Sequence, residues 1–201
     1  TIGRHAAAIA WKHSQDGLVP LQARDGRRVI ADTLAGIRRE LRARPSRRKA
    51  AITATQLSAM IGEATGEGSR AIRDRAILAL GLAAALRRSE LVALELQDVE
   101  FEQRGLKLML RHSKTDQDGQ GQVIAVPAGK VVQPVARLQA WLTVRGSRPG
   151  PLFTQIDPQG RMTGEAMSDR SIARLIQRYA ALAGLDPTTV GGHSLRAGFL
   201  T

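Results

Sequence analysis

Apolar residues recur at helical spacing from the first residues of the chain, with Ile2, Ala6, Ile9 and Ala10 on one face of a predicted helix over residues 1 to about 15. The pattern repeats from Arg27 to Arg42 through Ile30, Leu34, Ile37 and Leu41, after a loop containing Gly17 and Pro20. Two helices supply too little surface for a core of their own, so residues 1–44 read as the last part of a larger helical domain. A basic, apolar-poor stretch with a helix-stopping proline, Ala43-Arg44-Pro45-Ser46-Arg47-Arg48-Lys49, then reads as a linker over 45–52. It is equally readable as a solvated tether or as a strap along a phosphate backbone.

Beyond the linker, Thr55 is the expected N-cap of a helix carrying Leu57, Met60 and Ile61. A long apolar helix is expected from about Ser69 to Leu86, and a shorter one from near Ser89. The period then changes to alternation, in Leu106, Leu108, Leu110 and again in Val123, Ile124, Val126, around the turn-rich Asp116-Gln117-Asp118-Gly119-Gln120-Gly121. That predicts one small antiparallel sheet with Lys114 near a hairpin tip. Helical spacing returns over about Val131–Val144, Ser168–Ala183 and from His193 onward. The predicted fold is mainly α with a small antiparallel β-sheet, and residues 53–201 form its second domain.

Charge narrows the choice of partner. The 201 residues hold 30 Lys and Arg against 18 Asp and Glu, a formal net charge of +12 with a pI near 11.4. Such a chain attracts polyanions and releases their counterions on binding. Aromatic residues make up 3% of the sequence and are scattered, which leaves no platform for stacking unpaired bases and favours duplex DNA over single strands. The absence of cysteine excludes disulfides and thiolate metal sites. No apolar run is long enough to span a bilayer, and the N-terminus reads as amphipathic helix rather than signal peptide, so no membrane role is expected.

Four residues stand out chemically: Arg87 in Ala85-Leu86-Arg87-Arg88-Ser89-Glu90-Leu91, Lys114 in His112-Ser113-Lys114-Thr115, and His193 with Arg196 in Gly192-His193-Ser194-Leu195-Arg196-Ala197-Gly198-Phe199. Guanidinium forks stabilise charge on non-bridging phosphate oxygens at any useful pH. Taken alone, either arginine reads equally as a surface residue of an arginine-rich chain. Glu90 follows Arg87 by three positions, close enough on a helical turn to pair with it and orient its fork. His193 and Arg196, spaced i, i+3, share one helix face just after Gly191-Gly192. A lysine on a hairpin can donate a proton to a leaving oxygen, although a hairpin lysine also serves simply to keep a turn soluble. No cofactor and no metal is implied, because the local carboxylates Asp116 and Asp118 read as turn residues beside Gly119.

With these boxes in this order, the sequence resembles the tyrosine recombinases, or phage integrases, and within them the Cre-like site-specific recombinases. Residues 53–201 resemble most of that family's catalytic domain, and residues 1–44 the last helices of its core-binding domain. The resemblance implies that Arg87 and Arg196 bind the scissile phosphate, that Lys114 is the general acid toward the departing 5′ oxygen, and that His193 assists proton transfer. It implies a 3′-phosphotyrosyl DNA intermediate, no cofactor, assembly into dimers and tetramers on duplex DNA, and a cytoplasmic, bacterial or phage-encoded protein. The family's nucleophilic tyrosine and its sixth site residue follow the second arginine box by some tens of residues, so they are expected beyond Thr201, and residues 1–201 alone are expected not to cleave DNA. Tyr179 precedes His193 and falls on the stripe Ile172, Leu175, Ile176, Tyr179, Leu182, which makes it a core residue. Arg4, Lys12, Arg44, Arg47, Arg48 and Lys49 are the expected backbone contacts to DNA. Two other readings compete: a noncatalytic duplex-DNA-binding protein, which has no use for Arg87, Lys114, His193 and Arg196 together, and a type IB topoisomerase, which relaxes supercoils without pairing two sites.

Overall fold

The computed structural model describes residues 2–19, 27–43, 51–111, 121–191 and 194. They belong to two compact units, Thr1–Arg47 and Arg48–Thr201. The first contains helices α1 (Ile2–Gln15) and α2 (Arg27–Ala43). No described side chain in it is buried, and Ile2 and Ile9 on the α1 stripe are 48% and 52% exposed. The periodic face is present, but the unit has too few elements to cover it.

The second unit is mainly helical, with small antiparallel sheets. Helix α3 (Ala54–Gly62) begins two residues earlier than its predicted cap implies, because Thr53 and not Thr55 is the N-cap. The Thr53 hydroxyl accepts the Gln56 N–H at 3.2 Å, and the Gln56 side-chain oxygen accepts the Thr53 N–H at 3.0 Å. This reciprocal box satisfies two helix-end donors, which a threonine two residues further on could not do. Helix α4 (Ser69–Ala83) buries Ala76 through Leu82 on every face and packs against α6 (Pro134–Arg145). The expected start of α6 at Val131 moves to Pro134, whose ring presets the first helical φ while Gln133 turns the chain with φ 49°.

Strands β1 (Val99–Glu102), β2 (Gly105–Leu110) and β3 (Gln122–Pro127) form the antiparallel sheet in the order β1-β2-β3. Pairing Leu106 with Val126 and Leu108 with both Ile124 and Val99 turns the alternating leucines toward the core. Gly105 is required at the start of β2: a Cβ there would lie 2.2 Å from the Val126 carbonyl oxygen.

A second, two-stranded sheet corrects the expectation of only one. Strands β4 (Thr154–Ile156) and β5 (Met162–Ala166) pair antiparallel. Every residue of β5 is exposed, so its sequence Met-Thr-Gly-Glu-Ala carries no alternation to reveal it. Helix α7 (Asp169–Leu182) follows, with the Ser168 hydroxyl accepting the Ser171 N–H at 3.0 Å as N-cap. Trp141 of α6 stacks on Phe153 with ring centroids 6.5 Å apart, and its indole N–H donates to the Leu152 carbonyl at 2.8 Å.

Candidate functional site

The turn that presents Arg87 is built by the end of α4. The Ala85 N–H donates to the Leu82 carbonyl at 2.9 Å and the Leu86 N–H to the Gly81 carbonyl at 3.1 Å, the paired bonds of a helix-terminating Schellman motif. Its left-handed position is occupied by Ala85 at φ 50°, a conformation that a side chain makes unfavourable. The chain then buries Leu86, passes through Arg87 in extended conformation, and enters helix α5 (Arg88–Ala93), where Leu91 is buried. Two leucines, one on each side of Arg87, pin the turn into the core.

Glu90 fixes the arginine in a tighter way than a helix-surface pair. Arg87 precedes α5 as its N-cap and Glu90 is the third helical residue, so the carboxylate reaches back over the helix start. One oxygen, Oε2, accepts the Arg87 backbone N–H at 2.8 Å, and the other, Oε1, receives the Arg87 guanidinium Nη1. The Glu90 side chain is 4% exposed and that of Arg87 23%. A carboxylate this deep needs its cation, and the cation in turn has its direction set. The solvent-facing part of the guanidinium can therefore meet a phosphate with little rotamer entropy left to lose.

Lys114, His193 and Arg196 lie outside the described residues. The residues next to them define where their segments join the fold. The 111–121 connection leaves a paired end, Leu110 opposite Gln122. At its base the Arg111 guanidinium donates from Nε and Nη2 to Asp98 Oδ1, both at 2.8 Å, and the other Asp98 oxygen accepts the Glu95 N–H at 2.9 Å. Asp98 is buried, so this clamp ties the root of the hairpin to the segment that follows α5. Within the second box Ser194 is fully buried; its hydroxyl accepts the Gly191 N–H at 3.0 Å and its carbonyl the Ile52 N–H at 3.1 Å. Neither anchor was visible in the sequence, since Asp98 meets Arg111 and Ser194 meets Ile52 only in the folded chain.

Tyr179 sits where its stripe predicts, 4% exposed. Its hydroxyl donates to Asp74 Oδ2 at 3.1 Å, and Asp74 Oδ1 also receives Arg73 Nε at 3.0 Å and Nη2 at 2.8 Å. Burial first, and Asp74 beside it second, push the phenol up to about 12. A nucleophile needs an accessible oxygen that gives up its proton readily, whereas this one is buried and holds its proton more tightly than an ordinary phenol.

Of the expected DNA contacts, Arg4 is exposed on α1, whereas Lys12 is 2.7 Å from Asp16 in an exposed i, i+4 ion pair. Arg44, Arg47, Arg48 and Lys49 lie outside the described residues. Among the described residues no group of His, Asp and Glu is arranged to hold a metal, and no helix is long and apolar enough to cross a membrane.

The sequence profile of the phage integrase family matches residues 50–201. An integrase/recombinase XerD homologue of Selenomonas ruminantium is 34% identical across the whole of this chain and 59% of its own length. The tyrosine recombinase XerD of Xanthomonas axonopodis pv. citri is 32% identical over 75% of this chain and 48% of its own. This chain thus spans roughly half to three-fifths of the length of these relatives. Among solved structures, the XerH site-specific recombinase bound to difH substrate in a pre-cleavage complex aligns at a TM-score of 0.59, with 18% identity over 73% of this chain and 39% of that one. The XerA recombinase aligns at 0.56, with 21% identity over 78% and 49%. At those identities the likeness is one of fold.

Proposed function

We propose, because this chain belongs to the phage integrase family, that it is part of a site-specific DNA recombinase that cuts and rejoins duplex DNA by metal-free transesterification. The observation that carries the reading is the Arg87–Glu90 arrangement, a guanidinium held by a buried carboxylate at a core-pinned turn within the matched residues. Arg87 and Arg196 grip the scissile phosphate and stabilise the charge that grows on its non-bridging oxygens. Lys114 gives its proton to the departing 5′ oxygen, and His193 assists proton transfer. The nucleophile is a tyrosine outside residues 1–201, and the 3′-phosphotyrosyl bond it forms is resolved by a 5′ hydroxyl.

In this reading residues 1–44 are the C-terminal part of a core-binding domain, 45–52 a linker and 53–201 the catalytic domain. The protein works in the cytoplasm, as dimers and tetramers on DNA. Net charge of +12 supports duplex DNA as partner, and a recombinase of similar fold has been solved bound to its difH substrate.

The test traps the covalent intermediate. Protein expressed from its native coding sequence is incubated with a duplex of its own recombination site, nicked so that the cleaved end diffuses away, and the adduct is mapped by mass spectrometry. An adduct on a tyrosine outside residues 1–201, lost in Arg196→Ala while duplex binding persists, is the expected result. Cleavage by Arg196→Ala, or an adduct on Tyr179, overturns it. Duplex binding without any adduct assigns the chain to a noncatalytic DNA-binding protein.

A further inference from the structure

Helices α4 and α7 and strand β4 line a cleft of about 280 Å3 that contains neither Arg87 nor Glu90. Its charged lining is Arg70, Arg73, Arg174 and Arg178 with a single carboxylate, Asp74, leaving +3 in one small space. Asp74 cannot neutralise the rest. Both of its oxygens are taken, by Arg73 and by the Tyr179 hydroxyl, and it is buried. Arg70 is anchored by Nη2 to the carbonyls of Ile156 at 3.2 Å and Asp157 at 2.8 Å, which orient its head without cancelling its charge. Arg174 and Arg178 stand one turn apart on the same face of α7, and Arg178 lies 5.6 Å from the Tyr179 ring centroid.

The acidic groups beside this cleft each hold another arginine more closely, although the Asp157 charge also acts on Arg70. The Asp157 carboxylate receives Arg161 Nε at 2.8 Å, and Asp169 is 3.4 Å from Arg88. Among the described residues, none of Arg70, Arg174 and Arg178 has a carboxylate partner within ion-pair distance. Like charges one turn apart repel, so the arrangement is unfavourable until an anion enters. The concave shape and the forked donors fit a tetrahedral oxyanion better than a planar base edge.

We propose that this cleft is a second phosphate site, which takes a backbone phosphate of the duplex and is separate from the phosphate that reacts. The proposal rests on duplex DNA as the partner, as argued under the proposed function. Its role is to position the duplex: a phosphate seated against α4 and α7 sets the register of the strand on the protein, with no reading of base sequence.

The experiment measures binding of fluorescent duplexes to the 201-residue chain by anisotropy, across a range of KCl concentrations. The variants are Arg174→Ala/Arg178→Ala and a charge-matched control, Arg104→Ala/Arg148→Ala, which removes two exposed arginines outside the cleft. Loss of this one phosphate contact is expected to make the slope of log Kobs against log salt shallower by about 1. Affinity should fall equally for unrelated duplex sequences, and the control should keep the parental slope. Thermal melts of both double variants establish that each is folded, and Arg174→Gln/Arg178→Gln, which keeps most of the side-chain bulk, is measured beside them. A cleft variant that binds like the parent, or loses no more than the control, overturns the proposal and leaves duplex binding intact. Failure of the parent chain to bind any duplex defeats this proposal together with the reading it rests on. A free anion is the other source of the same chemistry. Saturable binding of inorganic phosphate that needs Arg174 and Arg178, combined with unchanged duplex affinity in their absence, assigns the cleft to free phosphate and overturns the DNA assignment.

Discussion

The Tyr179 hydroxyl of α7 reaches Asp74 of α4 at 3.1 Å and joins a buried carboxylate that Arg73 already holds with two nitrogens. Arg73 continues the chain of contacts to strand β4 by donating from Nη1 to the Thr154 carbonyl at 2.8 Å. Three elements that meet nowhere in sequence are thus joined by one polar network, and the only tyrosine of the chain is used in it.

Because Tyr179 is the sole tyrosine, its ionisation can be followed without interference from another phenol. Its folded-state value near 12 lies above the ordinary 10, so the unfolded chain loses the proton first. The stabilisation is complete below pH 10 and falls as pH climbs from about 10 to about 12. Spectrophotometric titration should show a midpoint near 12, and chemical denaturation should show Tyr179→Phe losing less stability over that interval than the parent. A midpoint at 10 would refute the buried hydrogen bond.

Removing Asp74 should do far more damage than removing Tyr179. Asp74→Ala strands the Arg73 guanidinium in the core, which typically costs about 3–5 kcal/mol, whereas Tyr179→Phe forfeits one hydrogen bond to a charged acceptor, about 1.5–3 kcal/mol. Urea denaturation of the two variants gives the order directly. Equal losses would mean that Arg73 finds another partner or reaches water.

Ala85 offers a stabilising change at the candidate site. Ala85→Gly removes the Cβ from the left-handed position of the Schellman turn, and should raise stability by about 1 kcal/mol after the extra freedom of glycine in the unfolded chain is discounted. The expected readout is a melting temperature higher by a few degrees. A lower one would show that the turn opens in solution.

Arg87 and Glu90 should prove energetically coupled. Each single substitution, Arg87→Ala or Glu90→Gln, removes part of a half-buried pair and is expected to destabilise the protein by about 1–3 kcal/mol. In the double variant the losses should fall short of additive by 0.5 kcal/mol or more. Strict additivity would mean the two side chains do not hold each other, and the turn would owe its shape to Leu86 and Leu91 alone.

Lys114, read as the general acid, makes a prediction about leaving groups. In the native protein Lys114→Ala should lose most cleavage of ordinary duplex and recover it on a substrate whose 5′ bridging atom is a better leaving group than an alkoxide. Absence of recovery would reduce Lys114 to a DNA contact.

The helical faces, the alternating strands, the two arginine boxes and the family they indicate were legible along the chain, because each is written in residues a few positions apart. Ile172, Leu175, Ile176 and Tyr179 had to lie on one side of α7 whatever surrounded them. The cap of α3 falls at Thr53 and not at the expected Thr55, because Gln56 lies three positions after Thr53 and can close the box with it. The exposed strand β5 carried no pattern to read. Which charges are buried, and against what, emerged only from the packing of distant segments. Arg73-Asp74 looks like any adjacent ion pair in a charged helix, and becomes a core network because α7 brings Tyr179 across 105 positions. Asp98 meets Arg111 only once β2 has run its length, and the basic cleft exists only when α4 and α7 face each other. Periodicity reports how a segment presents its own surface; the desolvation that makes a buried carboxylate hold an arginine depends on what the rest of the chain places over it.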